Sequence, residues 1–296
     1  MLFRYLRIRQ QPVSVATQPG ALSREWLAKD AEIPITLHQI NALPENAKLR
    51  IYRSLVPASL LTRFKIDPIH WRGPDGNQCV WLKAEPEDGI VLISAKKMSD
   101  DPEDFFCLEI ADNPLNGIDL NLLILNNPES PYFRTNYDDE GQPTMFGTLR
   151  RNLAEEQRAM QAGLAPGQVR DGLSASSVTL QHLDNFLATL GHRAYYLEPL
   201  TYASAWVFER RGFAYVRGHK LMDTIHKEFQ PGGALHSALD GSSPFRQLSQ
   251  WDTVRGRAWA IHDGVLETIG ARWDKLRMVK QVGRHAGVET FPEAKF

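Results

Sequence analysis

Four runs with strand-like patterning follow one another in a single stretch, and this order constrains the fold more than any other feature. They are residues 79–84, 90–95, 105–110 and 118–125. Glu87-Asp88-Gly89 makes a tight connection between the first two, and turn residues from Asn113 to Gly117 separate the last two. Short apolar runs punctuated by such turns read as an antiparallel meander. The period then changes. Residues 164–218 read loop, helix, strand, helix, strand. Ser174 or Ser176 is placed to cap a helix that buries Val178, Leu183, Phe186 and Leu190 and stops at Gly191. A strand at 193–197, a helix at 202–211 closed by Gly212, and a strand from Phe213 follow, the last running on through Leu221 and Ile225. Strand, helix and strand in that order favour a right-handed crossover. A meander joined to such units gives an α/β (α+β) protein with a mixed, mostly antiparallel sheet flanked by helices.

The flanks are less patterned. Leu6 and Ile8 suggest a short strand at 6–9, and Ser23 starts a short helical stretch. From Pro44 the spacing of Ala47, Ile51 and Leu55 is helical, and Pro57 is suited to the first position of another helix carrying Leu60, Leu61 and Phe64. Residues 126–147 are rich in Asn, Pro, Asp and Gly, and Thr148 caps a charged helix ending near Gly163, so 126–163 reads as an insertion. The tail from Val254 to about Gly283 reads as helix, with Trp259, Ile261, Val265, Ile269, Trp273, Leu276 and Val279 forming its apolar stripe. A dimer contact, or a cover over a pocket, is the functional version of that stripe.

A net charge of -1 provides no field to draw in nucleic acid or an anionic membrane. No run reaches the ~20 apolar residues of a membrane helix, and the charged N-terminus is unlike a signal peptide. Cys79 and Cys107 each sit among apolar residues, without CxxC or Cys/His zinc spacing, so no metal is expected and a cytoplasmic location is. His219 and His226, seven apart on the expected strand, would point to opposite faces and share no ion.

The informative loop is 164–174, Leu-Ala-Pro-Gly-Gln-Val-Arg-Asp-Gly-Leu-Ser, directly before a helix. A helix N-terminus offers free N–H groups and a favourable dipole to an anion. Gly172 permits close approach, and Arg170 adds charge. A pyrophosphate is the natural guest, and a simply capped helix after a Pro-Gly turn is the plain alternative. Pro166 and Gly172 stand six apart, and residues 207–213 read Val-Phe-Glu-Arg-Arg-Gly-Phe. In this order the two segments resemble the phosphate loop and the Tyr-rich Gly-Phe signature of the Gcn5-related N-acyltransferase superfamily.

The resemblance implies an acyl-CoA N-acyltransferase-like fold over 1–233, interrupted by the insertion at about 126–163, and a C-terminal helical extension over 234–296. It implies that acetyl-CoA, or another acyl-CoA, is bound by Gln168, Val169, Arg170, Asp171, Gly172, Leu173 and Ser174, with Thr201 and Phe208 further along. The acceptor would be an amine-bearing small molecule or peptide, attacking a thioester whose carbonyl is polarised by backbone N–H on a splayed strand. Val169 stands where the family has Arg or Gln, Ser174 where it has Gly or Ala, and Phe208 where a Tyr protonates the leaving thiolate. A phenyl ring donates no proton, so water or another acid would take that role, or the protein is silent. Glu109, a lone carboxylate in an apolar strand, is the base candidate because burial raises a carboxyl pKa; Asp119 is second. The readings that follow are an acetyl transferase, a catalytically inactive ligand-sensing or interaction protein of the same fold, and a long-chain acyl transferase whose tunnel the insertion forms.

Overall fold

A computed structural model describes residues 34–145 and 149–295. The expected strand at 6–9 and the helical stretch from Ser23 lie outside those residues, and the charged helix expected to be capped by Thr148 instead starts at Leu153, capped by Asn152, whose side chain accepts from the Glu155 N–H. Among the described residues three short helices come first: α1 (Leu37–Asn41), α2 (Glu45–Tyr52) and, after a 3-10 turn at Arg53–Leu55, α3 (Ala58–Arg63). Thr36 caps α1 in a reciprocal box with Gln39. Pro44 and Pro57 occupy the N-cap positions of α2 and α3, so Pro57 stands one residue before the helix rather than inside it. Inside the core, Tyr52 donates its hydroxyl hydrogen to Asn41 Oδ1 at 2.5 Å. The Asn41 amide in turn donates to the Asp88 and Ile90 carbonyls, which ties the helices to the first hairpin.

The meander follows as β1 (Val80–Lys83), β2 (Ile90–Ala95), β3 (Phe106–Asp112) and β4 (Ile118–Leu125). Each neighbouring pair is antiparallel. Alternation puts Val91, Ile93, Leu108, Ile110 and Leu120 into the core. The opposite rung Lys83, Leu92, Glu109 and Leu122, matched across four strands, stays exposed or half-exposed. After the insertion, which contains α4 (Leu153–Gln161), come α5 (Ser176–Leu190), β5 (Ala194–Leu197), α6 (Tyr202–Glu209) and β6 (Ala214–Arg217). The chain continues with α7 (His219–Glu228), α8 (Ala234–Ser237), α9 (Val254–His262), a 3-10 helix at Val265–Ile269 and β7 (Arg277–Gln281). The result is an α+β fold with one seven-stranded mixed sheet in the order β1-β2-β3-β4-β5-β7-β6, flanked by helices. Among these seven strands β4 and β5 pair in parallel and the other neighbours antiparallel.

Two sequence expectations are corrected. The strand from Phe213 does not continue through Leu221 and Ile225, because Gly218 turns the chain at a φ of 107° and α7 begins. Met222, Ile225 and Phe229 are buried at helical spacing. His219 and His226 therefore share one helical stripe rather than opposite strand faces. The tail is not helical from Val254 to Gly283. Gly264 and Gly270, both at positive φ, end α9 and the 3-10 turn, and residues 277–281 form a strand inserted between β5 and β6. The extension over 234–296 thus supplies an interior strand of the sheet.

The insertion is held down at both ends. Asn126 bridges Gly172, so the excursion leaves and rejoins the sheet at one point. Its helix α4 is fastened to α9 through Glu156, which accepts from Arg151 Nε at 2.9 Å and lies 3.3 Å from His262 Nε2. Arg151 also reaches Asp263 at 3.0 Å. Burial opposes ionisation of Glu156, but hydrogen bonds and charge from His262 and Arg151 outweigh it and hold the carboxyl below the ordinary range. A depressed folded-state pKa contributes stability above the unfolded value of about 4.3, and that stability is lost as pH falls through the folded value. Glu156→Gln is accordingly expected to lower stability by about 1–3 kcal/mol at pH 7. Its deficit relative to the parent chain is expected to shrink as pH falls below that window. Urea midpoints measured from pH 7 to pH 3 check this; a deficit that does not change with pH would count against the ion pair.

Candidate functional site

The sheet opens where β4 meets β5. The parallel register covers only Ile118↔Tyr195 and Asp119↔Tyr196, at the start of β4, which runs on to Leu125. Glu109 pairs with Leu122 and Ile110 with Leu120, so Asn121 is an extra residue that bulges β4 next to the opening. A bulge bends a strand and takes its backbone out of the regular ladder. At the far end the slot is closed by Leu173, whose N–H donates to the Leu125 carbonyl at 3.0 Å. Loop 164–174 thus sits against the end of β4 even though the insertion separates the two in sequence.

Within this loop the expected cofactor residues have varied surroundings. Val169 and Leu173 are buried, Leu173 within the hydrophobic core, and buried Gln168 accepts from the Ala165 N–H at 2.7 Å. Arg170 turns toward the insertion, donating to the Pro128 and Ser130 carbonyls and lying 5.2 Å from the Tyr132 ring centroid. The Asp171 N–H donates to Ser130 Oγ, its carbonyl accepts from Asn127, and Gly172 forms the bridge to Asn126. Ser174 takes a positive φ of 58°. The N-cap position of α5 falls between Ser174 and Ser176. Ala175 occupies the N-cap position, and its methyl side chain makes no cap hydrogen bond. The N-cap residue of this 15-residue helix therefore contributes no side-chain acceptor to its positive end.

Arg211, which sequence reasoning passed over, adds to that positive charge. Its Nε donates to Ser176 Oγ at 2.7 Å, so a guanidinium lies beside the first residue of α5. Burial, then the neighbouring Arg210, push the Arg211 pKa below its ordinary value. Such a group gains from a bound anion. Its place in the 207–213 run was visible in the sequence, but its approach to α5 depends on tertiary packing.

Among the candidates for chemistry, Glu109 lies on β3, an interior strand between β2 and β4. It is half-buried, and Oε1 accepts from the Asn121 amide at 3.0 Å, which couples the carboxylate to the bulge. Asp119 is paired with Arg277 at 2.8 Å and accepts from Asn113 as well, so it anchors the foot of the slot. Thr201 caps α6 in a reciprocal box with Ser204. Phe208 is buried edge-on against Phe213, with ring centroids 5.1 Å apart. Among the described residues no group of three or more His, Cys, Asp or Glu side chains is arranged to hold a metal, and no helix is long and apolar enough to cross a membrane.

Comparison with protein-family models, with curated proteins and with solved structures finds no match to this chain.

Proposed function

We propose that the protein binds an acyl-coenzyme A in the slot between β4 and β5 and transfers its acyl group, acetyl in the simplest case, to an amine. The observation that carries this reading is Arg211 lying beside the N-terminus of α5, near a bulged β4 whose parallel register with β5 is only two residues long. A pyrophosphate would be held there by backbone N–H groups, the helix dipole and a guanidinium. This puts the anion nearer Arg211 than Arg170, whose charge is turned toward the insertion. A pantetheine arm lying along β4 would bring its thioester toward the Asn121 bulge and Glu109. Glu109 would remove the proton as the amine nitrogen forms the new C–N bond. The C–S bond breaks, and the thiolate takes its proton from water, since Phe208 has none to give.

A second reading draws on the same site. The buried Phe208 and the loop N–H groups already used by Leu173 and Asp171 favour a protein that keeps the ligand pocket without turnover. Calorimetric titration with coenzyme A and acetyl-coenzyme A tests both. Micromolar binding, weakened about tenfold by Arg211→Ala through loss of one charge-assisted contact, is the expected result. Absence of binding by folded protein would remove the reading altogether. Binding without acetylation of any member of an amine panel would leave the silent version.

A further inference from the structure

The last described residues, 284–295, form no helix and no strand and are fastened to α6 and α9 contact by contact. Thr290 and Phe291 are buried, and the others are exposed or half-exposed. The Ala286 N–H donates to the Gly212 carbonyl at 3.1 Å, and the Trp206 indole N–H to the Phe291 carbonyl at 3.5 Å. Glu209 accepts from the Thr290 N–H at 2.9 Å and from its hydroxyl at 2.7 Å, and Arg210 pairs with Glu289. The Phe291 ring meets two groups that carry or can take a charge. Its centroid lies 3.6 Å from the Arg257 guanidinium carbon and 5.3 Å from that of the His226 ring. A segment anchored by so few buried groups opens locally at a fraction of the free energy of global unfolding.

His226 reaches this anchor from α7, with Nδ1 3.4 Å from Arg257 Nη1. A guanidinium only donates, so Nδ1 is the acceptor and the ring is neutral, its proton on Nε2. A second proton, on Nδ1, sets N–H against N–H and one positive charge against another. Burial, then Arg257, hold the His226 pKa below the ordinary value, against the pull of Glu293 in the tail and Asp223 on the same helix. We propose that residues 284–295 are a strap released by mild acid, with His226 as its trigger: a proton on Nδ1 displaces the Arg257 guanidinium and so loosens the Phe291 ring packed on it. A depressed histidine contributes stability that is whole above the ordinary value of about 6.5, and that stability is lost as pH falls through the folded value. Glu209 works in the opposite sense. Burial raises its pKa against the hydrogen bonds from Thr290 and Tyr215, so its contribution grows on acidification. Release below neutral pH therefore points to His226. The inference does not rest on the acyl-transfer reading.

The test is hydrogen exchange of the full chain at pH 7.5 and pH 5.5, read at the Ala286 and Thr290 N–H groups and expressed as protection, so that the intrinsic pH dependence of exchange cancels. Expected is a fall in protection of about fivefold at the lower pH, the size of a partly screened charge contact, while the amides of β3 keep theirs. His226→Gln retains an acceptor for Arg257 and cannot take the charge, so the fall is expected to vanish. Arg257→Met removes the opposing charge instead and is expected to abolish the fall as well, which holds the test open should the Gln variant pack differently. Unchanged protection in the parent chain, or an equal fall in either variant, would overturn the assignment. So would a parallel fall in β3, which would report acid unfolding of the whole protein.

Discussion

Replacing Asp184 with alanine is expected to destabilise the protein by about 3–5 kcal/mol, the range for removing one partner of a buried charge pair. Asp184 lies in the middle of α5 and is buried. Its Oδ1 accepts from the Tyr195 hydroxyl at 2.9 Å; its Oδ2 accepts from Lys280 Nζ at 2.9 Å and from the Gly283 N–H at 3.2 Å. One carboxylate on a helix thus fastens β5, β7 and the turn after β7. Without it, a nearly buried ammonium and a buried hydroxyl are left with no acceptor, and both desolvation penalties remain uncompensated. Asp184→Asn keeps an acceptor for Tyr195 but unpairs Lys280, so an intermediate loss is expected. The exposed pair of Lys97 and Glu129, 3.0 Å apart, provides the contrast. Lys97→Ala is expected to cost below about 1 kcal/mol. Urea denaturation of the four proteins checks the ranking, and an Asp184→Ala loss as small as that of Lys97→Ala would show that the network does not hold β7 in place.

The same lysine explains why β7 was hidden in the sequence. Met278 and Lys280 face inward, while Arg277, Val279 and Gln281 face outward. A strand whose inward set includes a lysine does not read as apolar alternation, and only the distant Asp184 makes that lysine tolerable there. The meander was legible because its inward residues are almost all aliphatic. The β6 to α7 boundary was missed although Gly218 marks it and Met222, Ile225 and Phe229 carry the helical period. At the candidate site, the loop and the 207–213 run could be located from local pattern. The Asn126–Gly172 bridge and the contact of Arg211 with Ser176 could not, since they join segments 46 and 35 residues apart. Nor could the fate of Arg170, whose engagement depends on how residues 128–132 fold back over it.

Arg257 poses the opposite problem to Asp184, because its charge is buried and feels Glu293 and Asp252 only at a distance. The side chain is 0% exposed, and no carboxylate forms an ion pair with it among the described residues. Its guanidinium carbon lies 3.6 Å from the Phe291 ring centroid and 5.2 Å from that of Phe229. Nε donates to the Trp251 carbonyl at 2.6 Å, Nη1 lies within 3.5 Å of the Tyr202 hydroxyl, and Nη2 has no partner. Burial pushes the guanidinium pKa down, while burial also raises the Tyr202 hydroxyl to about 12 against the opposing pull of Arg257. Two terms therefore compete. Packing between the rings and the cation–π contact stabilise, by about 2 kcal/mol for the latter when desolvated, whereas desolvation of an unpaired cation costs several kcal/mol. Arg257→Ala forfeits the packing and opens a cavity between α9 and the C-terminal segment, for an expected loss of about 3–5 kcal/mol. Arg257→Met retains most of the volume and removes the charge, leaving chiefly the Trp251 carbonyl without its donor, for an expected loss of about 1–2 kcal/mol. Thermal and urea unfolding of the two variants decide which term dominates. Should methionine cost as much as alanine, the cation itself would be what holds Phe291, and with it the chain end that runs beside α6, onto the rest of the fold.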